Sequence, residues 1–305
     1  MGGTPPKVQG DRKALVAPTG AKSLTTRTKQ QQALDRMAAF NGFQCPVCDS
    51  PLAVSQACLR CERGHSYDVA RKGYVHLHHT TVEGFYDKAL FEARGAIFDA
   101  GFYAPVAAAL KESLLPLSPI ALLDAGCGEG YYLNCLSLFL PHCFLVGLDL
   151  SKEAILAASS RESAAILSVG DLGRLPFRDG VFDAVLSILS PANYSSFSRV
   201  LKKNGRFIKI MPGQDYLREI RERLPSPKQS RDEGRVLTHL RQHMDILQME
   251  RIHYTLPLSD KEFVHFVSMT PLTESLSKEE REAVQNNPSS RITIDLTLAV
   301  CAKRA

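Results

Sequence analysis

Two groups of residues in this chain have types and spacings suited to chemistry. The first is Cys45-Pro46-Val47-Cys48, followed by Cys58, Cys61 and His65. Zinc takes thiolates and imidazoles, four in a tetrahedron, and a Cys-x-x-Cys turn delivers two of them without strain. Five candidates for four places leave two sets open: Cys45, Cys48, Cys58 and Cys61, or Cys45, Cys48, Cys61 and His65. A redox pair would leave the other three residues unexplained. Four of the eight cysteines crowd between Cys45 and Cys61, a grouping that favours metal over a disulfide framework. The expected ion is a structural zinc in a closed site.

The second group is Leu122-Leu123-Asp124-Ala125-Gly126-Cys127-Gly128-Glu129-Gly130, a hydrophobic run ending in an acid and turning through alternate glycines into a helix near Tyr131. Glycine is needed where a backbone turns sharply and lets a ligand touch the main chain. Dinucleotide and nucleotide sites use similar turns, so the neighbouring acids decide between them. Asp124 stands just before the loop, where its carboxylate reaches a ligand's ammonium directly or through water. Asp149, in Gly147-Leu148-Asp149-Leu150-Ser151, ends the next strand and is placed to accept both ribose hydroxyls. Asp171 or its neighbour Leu172 follows the third strand, at the place of an adenine amine. Three acids at three strand ends suit a cationic sulfonium cofactor, S-adenosylmethionine, and suit a pyrophosphate poorly. Any one of them alone reads equally as a cap or turn residue, and Ser151 reads as a helix cap.

These residues need elements to position them. From Pro119 onward, short β-type runs alternate with helical ones, the pattern of a parallel sheet with crossover helices. Strands are expected at 120–124, 144–148, 165–169, 182–187 and 206–211. A helix is expected from Tyr216 to Leu224, then a polar stretch with Pro225 and Pro227. Further β-type runs at 250–256 and 291–300 flank a helix at 260–267. Upstream, residues 86–115 are Ala-rich with helical spacing, broken at Gly101 and Pro105 into two helices. The expected class is α/β, Rossmann-like, with a mostly parallel seven-stranded sheet and a small N-terminal zinc-binding domain. The boundaries read as a basic arm at 1–41, the zinc-binding domain at 42–86, a helical connector at 87–118 and the α/β domain at 119–305.

A chain of 305 residues with 44% hydrophobic content builds a full core, and no apolar run reaches the ~20 residues of a membrane span. A cytoplasmic protein with no membrane partner is expected. Net charge is +5, and residues 1–44 hold all of the excess, with seven Lys/Arg against Asp11 and Asp35. That arm lacks hydrophobic periodicity until about Leu34 and is expected to be largely disordered. It suits phosphate neutralisation on a nucleic acid, and equally an unprocessed targeting extension or a mis-assigned start. Residues 45–86 carry four basic and four acidic side chains, so any RNA grip there comes from arrangement and not from bulk charge.

The region from the glycine loop resembles class I S-adenosylmethionine-dependent methyltransferases, through Asp124-Ala125-Gly126-Cys127-Gly128-Glu129-Gly130, Leu175-Pro176-Phe177, Phe182-Asp183-Ala184-Val185 and Leu201-Lys202-Lys203-Asn204-Gly205-Arg206-Phe207. Phe43 to Cys48, Gly64-His65-Ser66-Tyr67-Asp68, Lys72-Gly73-Tyr74-Val75-His76-Leu77, Ala93-Arg94, Phe98 to Tyr103 and Met269-Thr270-Pro271 extend the likeness. From about residue 43 to its end the chain resembles the RlmA type of 23S rRNA guanine-N1 methyltransferase. In that family twelve residues separate the second and third zinc ligands and three separate the third from a histidine. The resemblance therefore implies Cys45, Cys48, Cys61 and His65 as ligands, with Cys58 a spare thiol. It also implies cofactor contacts at Tyr103, Tyr132, Leu133 and Tyr216, beside Asp124, Gly126, Gly128, Gly130, Asp149, Asp171 and Leu172. The implied reaction is methyl transfer to N1 of a guanine in a 23S rRNA hairpin loop near the peptide exit tunnel, and the implied assembly is a homodimer.

Guanine N1 bears a proton, so the enzyme must remove it or stabilise the anionic base. Asn193, following Ser190-Pro191-Ala192, is a candidate to hydrogen-bond the guanine edge, Tyr194 to stack on it and Asp215 to act as base, with a plain surface acid the competing reading of Asp215. A small-molecule methyltransferase is the rival enzyme, since fold does not fix substrate. A non-catalytic RNA-binding factor that retains the cofactor pocket is the rival from another class.

Overall fold

The computed structural model describes residues 27–78, 88–161, 163–225 and 233–304. The chain opens with helix α1 (Lys29–Phe40), three short strands β1 (Ala53–Ser55), β2 (Cys58–Arg60) and β3 (Ser66–Asp68), and strand β4 (Tyr74–His76). Helices α2 (Lys88–Asp99) and α3 (Ala104–Leu114) follow, and then the α/β alternation β5 (Ala121–Ala125), α4 (Tyr131–Ser137), β6 (Phe144–Asp149), α5 (Lys152–Ala158), β7 (Ile166–Val169), β8 (Phe182–Ile188), α6 (Tyr194–Val200) and β9 (Leu201–Pro212). The chain closes with α7 (Arg218–Arg221), α8 (Glu233–His243), β10 (Met244–Pro257), α9 (Asp260–Met269), α10 (Lys278–Gln285) and β11 (Arg291–Lys303).

Strands β1, β2 and β3 form a small antiparallel sheet, while the rest build one sheet in the order β10-β11-β9-β8-β5-β6-β7-β4. Strands β4 to β9 pair in parallel there, and β11 is antiparallel to both neighbours. The expected class and parallel sheet are found, with eight strands in place of seven. The additional strand is β4, which comes from the Cys/His region and pairs Tyr74 with Leu167 on β7. Side chains alternate across the sheet, so Leu122, Ile208 and Ile210 enter the core on one face, while Leu123, Phe207 and Met211 enter the other.

The stretch expected to be a disordered arm is corrected over its last part. Lys29–Phe40 is a helix, N-capped by Thr28 and closed by Asn41 in the left-handed region at φ 45°. It buries Ala33, Leu34, Met37 and Phe40, and Phe40 packs in an aromatic cluster with Phe43, Phe144, Phe177 and Phe182. The rest of the arm and the start of the connector, residues 1–26 and 79–87, lie outside the described residues. The connector is two helices, with α2 ending before Gly101 and Pro105 in the first turn of α3. The helix expected from Tyr216 to Leu224 shrinks to Arg218–Arg221, and the polar stretch beyond it contains α8.

Candidate functional site

The Cys/His cluster resolves the choice between ligand sets. Ligand atoms of Cys45, Cys48, Cys61 and His65 all lie within 4.8 Å of one another. Cys48 and Cys61 Sγ are 3.7 Å apart, and His65 Nδ1 is 3.6 Å from Cys45 Sγ and 3.4 Å from Cys61 Sγ. A tetrahedron with zinc–sulfur bonds of about 2.3 Å has edges of about 3.8 Å, slightly shorter toward nitrogen. The four atoms are therefore spaced to share one zinc ion. Cys58 points elsewhere, its thiol donating to the Ser55 carbonyl at 3.0 Å. Tyr67 OH, quoted in the sequence without a role of its own, lies 3.4 Å from Cys45 Sγ and backs that ligand.

At the carboxyl ends of β5 and β6, the glycine loop turns above buried acids. Gly126 has φ +83°, and a Cβ there would come within 2.7 Å of the Ser190 Cβ, so the position excludes any side chain. Asp124 is 1% exposed, and neither carboxylate oxygen has a hydrogen-bond partner. Burial, reinforced by the charges of Asp149 and Glu129 and opposed by Arg94, pushes its pKa up to about 7. Asp149 Oδ2 accepts from Gly128 N and Oδ1 from Ser151 N, each at 2.9 Å. Asp149 is also raised, chiefly by burial, against the pull of those two amides and of Arg94. Ser151 caps α5, as expected.

Of the remaining expected cofactor residues, Tyr132 lines this cleft, and Tyr103 and Tyr216 line a larger cavity beside it. Tyr132 OH is buried with no hydrogen-bond partner, and Tyr103 OH meets Tyr216 OH at 2.7 Å. Leu133 is fully buried, against Gly147, leaving only its backbone for a ligand. Asp171 accepts from Gly173 N at 2.8 Å in a tight turn, and Leu172 approaches Gly126. Two further residues of the quoted motifs, Glu129 and Arg94, had no role assigned. Glu129 is 3% exposed and pairs with Arg94 of α2 at 3.3 Å, and Arg94 also reaches over Gly128. A charged residue inside a glycine loop was the available signal. An unpartnered carboxylate, an unpartnered phenol and a loop open to a ligand's approach fit S-adenosylmethionine, whose ammonium and sulfonium supply the missing positive charge.

Beside the cleft, and sharing Arg94 and Phe98 with it, lies a cavity of about 1150 Å³. It is bounded by the loop 189–192 after β8, by Lys209 and Met211 of β9, by Tyr216, by Arg235 and His239 of α8 and by 269–272 after α9. The sequence-based candidates for catalysis fall differently. Asn193 is the N-cap of α6: its Oδ1 accepts from Ser196 N at 3.0 Å and Ser195 Oγ at 2.7 Å. Tyr194 is 5% exposed, stacked on His243 and edge-on to His239, so no free face is offered to a base. Asp215 pairs with Arg251 and His253 at 3.6 and 3.7 Å and does not line the cavity. Asn193 and Tyr194 thus have structural partners of their own at the edge of the cavity, and Asp215 stands outside its lining.

Comparison with known proteins agrees with both halves. Residues 43–78 match the family described as RlmA, N-terminal, and residues 123–209 match a methyltransferase domain. A candidate 23S rRNA (guanine-N(1)-)-methyltransferase of Bacillus subtilis (strain 168), YxjB, is 36% identical over 88% of this chain and 100% of its own. The 23S rRNA (guanine(748)-N(1))-methyltransferase of Streptomyces fradiae is 31% identical over 85% of this chain and 96% of its own. A malonyl-[acyl-carrier protein] O-methyltransferase of Herminiimonas arsenicoxydans is 36% identical but covers only 39% of this chain. With a zinc-spaced Cys/His cluster, an acid-lined glycine cleft and likeness over nearly its whole length, this chain belongs to the RlmA-type 23S rRNA (guanine-N1)-methyltransferases, enzymes that use S-adenosylmethionine and carry a structural zinc.

Proposed function

We infer that the enzyme methylates N1 of a guanine in a hairpin loop of 23S rRNA near the peptide exit tunnel. The observation that carries this is the likeness to rRNA enzymes over 85–88% of the chain together with the matched zinc lobe, where the acyl-carrier methyltransferase covers only 39% of the chain. The cavity supports it, being large enough for a flipped base and walled in part by cations that suit an RNA backbone.

S-adenosylmethionine, when bound, supplies an electrophilic methyl carbon on a cationic sulfur. Asp124 is assigned to its ammonium, Asp149 to the ribose hydroxyls and the 171–172 turn to the adenine. Gly126, Gly128 and Gly130 let the ligand reach the main chain, and Tyr103, Tyr132, Leu133 and Tyr216 are assigned as further cofactor contacts. Cys45, Cys48, Cys61 and His65 hold the zinc. The zinc-binding part at 42–86 is assigned as the RNA-gripping surface, joined by the connector at 87–118 to the catalytic part at 119–305. The assembly we assign is a homodimer. Edge strand β10 supports it, with Leu247 and Met249 55% and 42% exposed. The cytoplasm, where rRNA is modified, is its place of action.

The test is mass-mapping of 23S rRNA from cells with and without the gene, followed by methylation of the unmodified rRNA by purified enzyme. A single guanine losing its N1 methyl and regaining it in vitro is expected. Unchanged 23S rRNA, or methyl transfer only to small acceptors, would remove this reading.

A further inference from the structure

Lys209 lies on β9 at 5% exposure, beneath the loop that follows β8. Its Nζ donates to Ser187 Oγ at 2.9 Å and to the Ser190 carbonyl at 2.5 Å. Ser187 Oγ is 3.0 Å from Ser190 Oγ, which donates to the Ala125 carbonyl at 2.9 Å. Ala125 is the last residue of β5, immediately before Gly126. Two serines thus tie the ammonium to the start of the glycine loop, while Lys209 itself lines the larger cavity. It lines that cavity beside Ser190, whose side chain packs against Gly126 of the glycine loop. Lysine is rarely buried to this depth, because desolvating its charge is costly; on the same face of β9, Phe207 and Met211 fill their places with apolar groups.

The other titratable and charged groups facing the cavity narrow the chemistry. Arg94 faces it from α2, and Arg221 and Arg235 from α7 and α8. Tyr103, Tyr194 and Tyr216 also line it, and burial holds their hydroxyls above their usual range and therefore protonated. His239 faces it from α8. Among the described residues the lining contains no aspartate or glutamate. The cations of the described wall, Lys209 with Arg94, Arg221 and Arg235, suit holding a developing negative charge.

Resting on the function inferred above, we propose that Lys209 is a catalytic residue whose ammonium hydrogen-bonds O6 of the target guanine and stabilises the base in its N1-deprotonated form. The N1 proton passes to water, and the negative charge it leaves is shared between N1 and O6. N1 then forms its bond to the methyl carbon while the carbon–sulfur bond breaks and its electron pair goes to sulfur. The products are a neutral N1-methylguanine and a neutral thioether. Lys209 therefore binds the reacting anion more tightly than either the resting base or the product, and this difference accelerates the step.

The experiment is single-turnover methylation of unmodified 23S rRNA from about pH 6 to about pH 10 by wild type, Lys209→Met, Lys209→Gln and Lys209→Arg, with cofactor affinity measured by calorimetry. Lys209→Met and Lys209→Gln are expected to bind the cofactor as wild type does. Their rate at neutral pH should fall by about 10²-fold, and the rising limb of the pH–rate profile should move to higher pH. Lys209→Arg should keep the limb in place. A rate lowered equally at every pH, or cofactor binding lost with the lysine, would make Lys209 a prop for the Ser190 loop and overturn the proposal. A limb moved by His239→Gln and not by Lys209→Gln would also overturn it, assigning the proton to α8. Wild-type enzyme inactive on rRNA at every pH fails the inferred function instead, so the two failures are distinguishable. Lys209→Gln keeps a hydrogen-bond donor without the charge and serves where the methionine variant does not fold.

Discussion

A carboxylate at 1% exposure with both oxygens unbonded, as at Asp124, is costly for a folded chain to keep. Its pKa of about 7 means that the native state holds the proton more tightly than the unfolded chain does. The resulting stabilisation is fully present below the ordinary value of 3.8 and is lost as the pH rises through about 7. At neutral pH and above, that loss amounts to at most roughly 4 kcal/mol. Asp124→Asn should therefore raise the melting temperature of the cofactor-free protein near pH 8, with the difference closing toward pH 4. The same substitution should weaken S-adenosylmethionine binding, which in the wild type should tighten as Asp124 ionises between about pH 6 and pH 8. Equal cofactor affinity in the variant would exclude Asp124 as the partner of the ligand's ammonium. At this scale the chemistry was legible in the sequence wherever an acid followed a hydrophobic run. Lys209 was not, because a lysine near the end of a strand reads as a solvated tip until the loop that covers it is seen.

Elements with strong periodicity or clear punctuation were legible, as β5, β6 and β8 show: each is a hydrophobic run closed by an acid, glycine or serine. Helix α1 was hidden because its apolar residues begin five positions into the helix, after Lys29 and three glutamines. Strand β4 was hidden because three residues are too few for alternation to show, and its pairing with β7 is a tertiary choice. Helix α8 reads as polar because it presents only Val236, Leu237 and Leu240 to the core. Caps explain the fate of the proposed base contact. Asn193 spends its carbonyl oxygen on α6, so Asn193→Ala should cost about 1 kcal/mol in stability and leave single-turnover methylation unchanged at a temperature where the fold holds. Denaturant unfolding alongside the rate assay separates the two. A methylation rate lost at intact stability would restore the base-contacting role.

At the scale of the whole molecule, the zinc lobe and the cofactor cleft are joined through one loop. Residues 170–177 leave β7 carrying the 171–172 turn assigned to the adenine. The zinc lobe grips that loop at three places: Arg174 to Asp49 at 3.0 Å, the Pro176 carbonyl to Gln44 N at 2.9 Å, and the Phe177 ring 5.3 Å from Phe43. Phe43 and Gln44 directly precede Cys45, and β4, which begins nine residues beyond the last zinc ligand, pairs with β7 itself. The ion pair is exposed and contributes at most about 1 kcal/mol. The buried aromatic contact and the sheet pairing are the substantial links. Loss of zinc should therefore reach the cofactor and not only the RNA surface. Cys61→Ser should abolish the zinc found in the purified protein by elemental analysis and lower its melting temperature. Its affinity for S-adenosylmethionine should fall several-fold, while Asp49→Ala, which removes the exposed pair and the Gln44 amide's bond to the same carboxylate, should change that affinity by less than about fivefold. A zinc-free protein that binds the cofactor with unchanged affinity would show that the lobe serves RNA alone, and that the shared sheet transmits nothing from metal to cleft.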